Sequence, residues 1–176
     1  SDILLLPHFL GQKVTFKEKV GPVLEKMSIN EKFLKKNIDL DDFTPIKNAI
    51  FKIKKLLPPS KDLIGFSGAP WTLACYMIEG GSSKDYAKTR TFLWNNEKIF
   101  FKLINLLIKS CVDFLEYQYL AGCTVLMIFD SWSSMIPDTY WVKLGIDPTK
   151  FIVERLREKN VQCPIIGLPF KSGEML

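Results

Sequence analysis

Thr124-Val125-Leu126-Met127-Ile128-Phe129 is a continuous apolar run that begins two residues after Gly122, which closes a long stretch of helical periodicity. A strand with no polar alternation reads as one buried on both faces, the situation of a central strand in a parallel sheet covered by helices. Other segments repeat the theme. Leu63 to Ala69 and Pro164 to Leu168 read as short buried strands, and Ile3 to Pro7 as another at the start of the chain. Between them lie helical patterns. Thr44-Pro45 opens one that runs to about Leu57, with Ile46, Ala49, Ile50 and Ile53 on one face and most lysines on the other. Ser82 or Ser83 caps a second from Lys84 to about Trp94, and Asn95 or Asn96 starts a third over Glu97 to Leu120. Pro137-Asp138 and Asp147-Pro148 open two more, to about Leu144 and Lys159. Shorter signals are a strand at Val14-Thr15-Phe16, a turn at Gly21-Pro22 and a helix start at Ser28 with Glu31.

This alternation predicts an α/β fold: parallel strands with covering helices. In a (β/α)₈ barrel, and equally in an open doubly wound sheet, chemistry sits at the C-terminal ends of strands. That rule selects three places: the chain near Asp2, the segment Phe66 to Pro70, and Asp130-Ser131.

Composition limits the function classes. The 176 residues are 47% hydrophobic and 24% charged, enough apolar material for a sizeable core. The net charge of +5 arises within residues 1–61, which hold 12 basic and 7 acidic side chains. Lysines of residues 26–61 follow helical spacing and read as a solvated face; no arginine cluster or interleaved aromatic set supports a nucleic-acid partner. Cys75, Cys111, Cys123 and Cys163 form no C-x-x-C pair, and the single His8 completes no zinc set, so reduced thiols in a cytoplasmic protein are expected. The most apolar stretch, Ile99 to Ile108, is interrupted by Lys102 and Asn105, and no membrane association is expected. Both ends of the chain read as cut within a larger domain.

Three groups of residues carry candidate chemistry. Gly65-Phe66-Ser67-Gly68-Ala69-Pro70-Trp71 marks a tightly shaped turn after a strand, and Tyr76 on the following short segment offers a phenol to a polar substrate or anchors a loop. Phe129-Asp130-Ser131-Trp132 ends a strand in a carboxylate and a hydroxyl; Asp130 accepts N–H donors or serves as a structural ion-pair partner. Gly80-Gly81-Ser82-Ser83 precedes a helix but lacks the G-K-[ST] ending of a phosphate loop, which favours simple capping.

The segment Gly65 to Gly80, GFSGAPWTLACYMIEG, resembles the signature of the uroporphyrinogen decarboxylases. Ser1-Asp2-Ile3-Leu4, His8 with Gly11-Gln12, and Phe129-Asp130-Ser131-Trp132 follow in that family's order and spacing. The resemblance implies a partial TIM (β/α)₈ barrel covering the second to fifth strand units, with residues 1–176 a single incomplete barrel domain and an excursion at about 13–60. It implies removal of the carboxyl groups of the four acetate side chains of uroporphyrinogen III, giving coproporphyrinogen III without cofactor or metal, by a homodimer when full length. Carried over by position, Asp2 matches the aspartate that faces the pyrrole N–H groups, and Tyr76 the pocket tyrosine. Ser131 matches a serine contacting a substrate carboxylate, and Phe66 and Phe129 match apolar cleft residues. The family's N-terminal paired arginines and its C-terminal histidine have no counterpart in these 176 residues, so the chain alone is expected to be inactive. Two alternatives stay open: a related zinc- or corrinoid-dependent methyltransferase barrel, and a non-catalytic tetrapyrrole-binding fragment.

Overall fold

In the computed structural model, which describes residues 3–18, 21–26 and 28–173, the centre is a parallel three-stranded sheet. Its strands, in spatial order, are β3 (Ile64–Gly68), β4 (Val125–Asp130) and β5 (Ile165–Pro169). Gly65 pairs with Leu126 and Leu126 with Ile165, so the C-terminal ends of the three strands lie level. Helices α3 (Pro70–Glu79), α4 (Ala87–Asn95), α5 (Glu97–Leu120) and α6 (Asp147–Glu158) supply the crossovers. Before the sheet come helix α1 (Leu5–Phe9), an antiparallel hairpin of β1 (Val14–Lys17) and β2 (Gly21–Leu24), and helix α2 (Thr44–Leu56).

Helix α5 organises the core. Phe100, Leu103, Leu107, Cys111 and Leu115 are fully buried at spacings of three and four, the stripe a helix needs to lie along a sheet. It approaches β3 closely. A Cβ on Gly65 would stand 3.0 Å from Leu126 Cδ2 and 3.1 Å from Gln118 Cβ, so only glycine fits without movement. The buried Gln118 then closes part of the outer edge of β3: its Oε1 accepts from Phe66 N at 3.0 Å and its Nε2 donates to Phe66 O at 2.9 Å. An open strand edge is thereby satisfied by one side chain. Gln118→Leu strands a buried donor and acceptor, and we expect a loss of about 1–3 kcal/mol in urea unfolding.

Several expectations need correction. Ile3 to Pro7 is not a strand; α1 forms there, with His8 N donating to Leu4 O and Leu10 N to Leu6 O. Leucine, unbranched at Cβ, favours helix, Pro7 is tolerated in a first turn, and Leu6 and Leu10 face the core one turn apart. Ser28 opens no helix; Asn30 Oδ1 instead accepts from Phe33 N, and a single 3₁₀ turn follows at Phe33–Lys35. Pro70–Glu79, taken for a turn and a short segment, is a ten-residue helix with Pro at its first position and Gly80 at φ +84° beyond its end. Helix α4 begins at Ala87 rather than Lys84, after the Ser83 hydroxyl accepts from Tyr86 N. Helix α6 begins at Asp147 and ends at Glu158 as expected, but without a side-chain cap or a break before it. A π turn at Val142–Ile146 runs directly into α6, widening the backbone before Pro148, which cannot donate its own N–H. On α2, Ile46 and Ile50 meet the core while Ile53 is exposed.

The largest correction concerns β4. Leu126, Ile128 and Asp130 are buried, but Val125, Met127 and Phe129 are only half-buried. Helices cover one face of the sheet, and the other, with Ile64, Phe66, Met127, Phe129, Ile166 and Leu168, is partly open. Cys75, Cys111, Cys123 and Cys163 are free and buried.

Candidate active site

The open face of the sheet ends in a cleft of about 430 Å³ lined by Ile3, Ile64, Phe66, Met127, Phe129 and Ser131. Period-two alternation puts them there: Ile64 and Phe66 on β3, Met127 and Phe129 on β4, with Ser131 one step past the strand end. Phe66 and Phe129 meet edge to face with ring centroids 5.7 Å apart, forming an apolar wall. Ile3 reaches the same place from the start of the chain; a Cβ on Gly68 would stand 3.2 Å from Ile3 Cβ. Three residues picked out in the sequence, Phe66, Phe129 and Ser131, are thus brought together. Asp2 lies outside the described residues.

Tyr76 does not line that cleft. It stands half-buried on α3, and its ring meets that of Trp132 at 6.1 Å in an edge-on arrangement. Asp130 points the other way, into the helix-covered side, where it is 5% exposed. It makes no ion pair among the described residues, so the ion-pair expectation is replaced by a hydroxyl contact: Thr72 Oγ1 donates to Asp130 Oδ1 at 2.7 Å. Burial pushes the Asp130 carboxyl from 3.8 up to about 7, opposed by the Thr72 hydrogen bond. A second groove, of about 420 Å³, lies on that side between β5 and α6, where Ile128, Trp141 and Val153 line it together with Asp130, Lys150 and Glu154.

Sequence reasoning passed over the residues that tie these parts together. Thr72 Oγ1 also accepts from the backbone N–H of Trp132 at 3.1 Å, and Trp71 Nε1 donates to Trp132 O at 2.8 Å. Ser133 Oγ donates to Asp130 O at 3.0 Å and lies within the same distance of Phe170 O, while Ser172 Oγ donates to Ser133 Oγ at 2.9 Å. The ends of β3, β4 and β5 are therefore joined by buried hydroxyls. The available signal was the spacing of Thr72 and Tyr76, four apart and so on one face of a helix, but it carries meaning only once that segment is known to be helical.

His8 is exposed on α1, and Gly80 to Ser83 end one helix and approach the next without forming an anion cradle of phosphate-loop type. Among the described residues, no helix is long and apolar enough to cross a membrane.

Comparison with known proteins agrees with this architecture. A solved structure of a methyltransferase from Methanosarcina mazei superposes with a TM-score of 0.61 over 93% of this chain and 48% of its own, at 13% identity, a likeness of fold alone. A curated uroporphyrinogen decarboxylase from Rickettsia bellii is 36% identical over 175 residues, covering 98% of this chain and 51% of that protein. One from Gluconobacter oxydans is 37% identical over 179 residues, covering all of this chain and 50% of its own length. The chain spans about half the length of the curated relatives it matches. The family model described as uroporphyrinogen decarboxylase (URO-D) matches residues 1–176. With part of a TIM barrel in its fold and a match that runs from end to end, the chain belongs to the uroporphyrinogen decarboxylase family.

Proposed function

We propose that this chain forms one side of a tetrapyrrole site whose complete barrel converts uroporphyrinogen III to coproporphyrinogen III. The observation that carries the reading is the convergence of Phe66, Phe129 and Ser131 on one cleft at the C-terminal end of a parallel sheet. An apolar wall suits the faces of the macrocycle, and a hydroxyl at its rim suits a substrate carboxylate. Asp2, one residue before the cleft-lining Ile3, supplies the charge. Protonation turns one pyrrole into a cation; the bond to the acetate carboxyl breaks, CO₂ leaves, and the bond's electron pair flows into the ring, leaving an exocyclic methylene. A proton added to that methylene makes the product methyl group, and the ring releases the proton it had gained. A carboxylate beside the pyrrole N–H groups stabilises that cation, an effect strongest where water is excluded. The protonated ring is itself the electron sink, so the step needs no cofactor. Tyr76 and Ser131 hold the orientation.

Residues 1–176 belong to a single incomplete barrel domain in this reading, with an excursion at about 13–60. The complete protein works as a cytoplasmic homodimer with no nucleic-acid partner. The isolated chain is inactive, because the sheet it presents is open on one face and admits water to the reacting centre.

The test compares two proteins by chromatography of products from uroporphyrinogen III under anaerobic reducing conditions. The isolated 176-residue chain should give no coproporphyrinogen. A chimera in which it replaces the matching half of a curated relative should turn the substrate over. A chimera that folds but yields no product from wild-type residues overturns the reading, as does turnover by the isolated chain for its inactivity.

A further inference from the structure

Helix α3 is tied to the end of β4 by the Thr72 hydroxyl, beside the Trp71 indole that donates to Trp132 O. Thr72 is fully buried, donates to Asp130 Oδ1 at 2.7 Å and accepts from Trp132 N at 3.1 Å. Asp130 and Trp132 are the two neighbours of Ser131, so Thr72 holds the side chain before that serine and the backbone N–H after it. Tyr76 lies one helical turn beyond Thr72 on the same face of α3. Its ring packs on the ring of Trp132, whose carbonyl is held by Trp71 Nε1 and whose ring also meets that of Tyr86, with centroids 4.8 Å apart.

We propose that Thr72 is a positioning residue that sets Tyr76 against Ser131, fixing the separation between the two polar contacts offered to the substrate. The inference rests on the tetrapyrrole reading above and extends it to a residue that touches no substrate. The physical basis is rigidity. Ser131 sits in the turn after a strand, where backbone is easily displaced, and Tyr76 sits on a helix that can slide over the sheet. One β-branched side chain with a stiff χ1 satisfies a donor and an acceptor from the turn while belonging to the helix. Neither element can shift without leaving a buried polar group unpaired. Aromatic packing of Trp132 then transmits the turn's position to Tyr76.

The test uses the 176-residue chain labelled with 5-fluorotryptophan. Its tryptophans are Trp71, Trp94, Trp132 and Trp141, and the Trp132 resonance is assigned by its loss in Trp132→Phe. Binding is followed in the chimera described above, carrying the same substitutions, by the fluorescence of uroporphyrin III, the stable oxidised form of the substrate. Thr72→Val keeps the shape and removes the hydroxyl: it should move or broaden the Trp132 resonance and weaken uroporphyrin III binding about tenfold. Thr72→Ser restores the hydroxyl and should return both readouts to within about twofold of wild type. Asp130→Asn keeps an oxygen for Thr72 and should leave the Trp132 resonance in place. A folded Thr72→Val chain with wild-type resonance and affinity overturns the proposal. If the valine variant does not fold, the serine variant decides: a folded Thr72→Ser chain with a displaced Trp132 resonance overturns it equally. A wild-type chimera that binds no uroporphyrin III, while Thr72→Val still moves Trp132 in the 176-residue chain, overturns the tetrapyrrole reading. The assignment of Thr72 to a substrate site then falls with it, although the tie between α3 and β4 is seen directly.

Discussion

Asp2→Asn in an active chimera is expected to lower kcat by about 10²–10³ while changing uroporphyrin III affinity far less. The substitution preserves size and hydrogen-bonding shape and removes one negative charge. An asparagine oxygen still accepts from pyrrole N–H groups in the ground state. What it cannot do is offset the full positive charge that develops when a pyrrole is protonated. The loss therefore belongs to the transition state, and the split between kcat and affinity is the signature. Near-normal turnover would remove Asp2 from the mechanism, whereas an equal loss of affinity and rate would make it a binding residue. Ser131→Ala is the useful contrast, since a rim hydroxyl that holds a carboxylate acts on substrate before and during reaction alike.

The second large effect is on stability and concerns Asp130. Its carboxyl is raised from 3.8 to about 7 by burial, so between about pH 4 and pH 7 the folded chain keeps a proton that the unfolded chain has released. The state that binds more protons is favoured at low pH. Stability therefore falls as pH rises through that window, at up to about 1.4 kcal/mol per unit, and levels off above it. Asp130→Asn removes the ionisation while retaining an acceptor for Thr72. Urea unfolding at pH 5 and pH 8 should show wild type losing stability between the two and the asparagine variant losing less. At pH 8 the variant should be the more stable by about 2–4 kcal/mol. Asp113, also raised by burial, titrates in both proteins and cancels in the comparison. Parallel pH dependences would mean that Asp130 is solvated or paired in solution.

The uncovered face of the sheet connects these expectations. Ile64, Ile166 and Leu168 remain well exposed beside Phe66 and Phe129, an arrangement suited to the inside of a barrel. The cleft is thus apolar and charge-poor on this side. Asp130, the one carboxylate among the described residues that the sequence singled out near the cleft, is turned away from it and tied to structure.

Much of the fold was legible because its signals are local. Helix α5 over Glu97–Leu120 is marked by a buried stripe and closed by Gly122, and β3, β4 and β5 are short apolar runs with turn residues at their ends. The placement of Phe66, Phe129 and Ser131 on one cleft follows from strand alternation and the level ends of a parallel sheet. Other features depend on what the chain meets in space. Leu5–Phe9 became helix because the core accepts Leu6 and Leu10, one turn apart, there. Pro70–Glu79 looked like a turn because proline and glycine bracket it, and the same residues are also the start and stop of a helix. The two faces of β4 carry equally apolar side chains, so no periodicity could tell the covered face from the open one. The direction of Asp130 and the bridging hydroxyl of Thr72 were out of reach for a related reason. Local sequence sets which backbone a segment prefers, but a buried hydrogen bond between residues 58 positions apart exists only after two strands and a helix have packed.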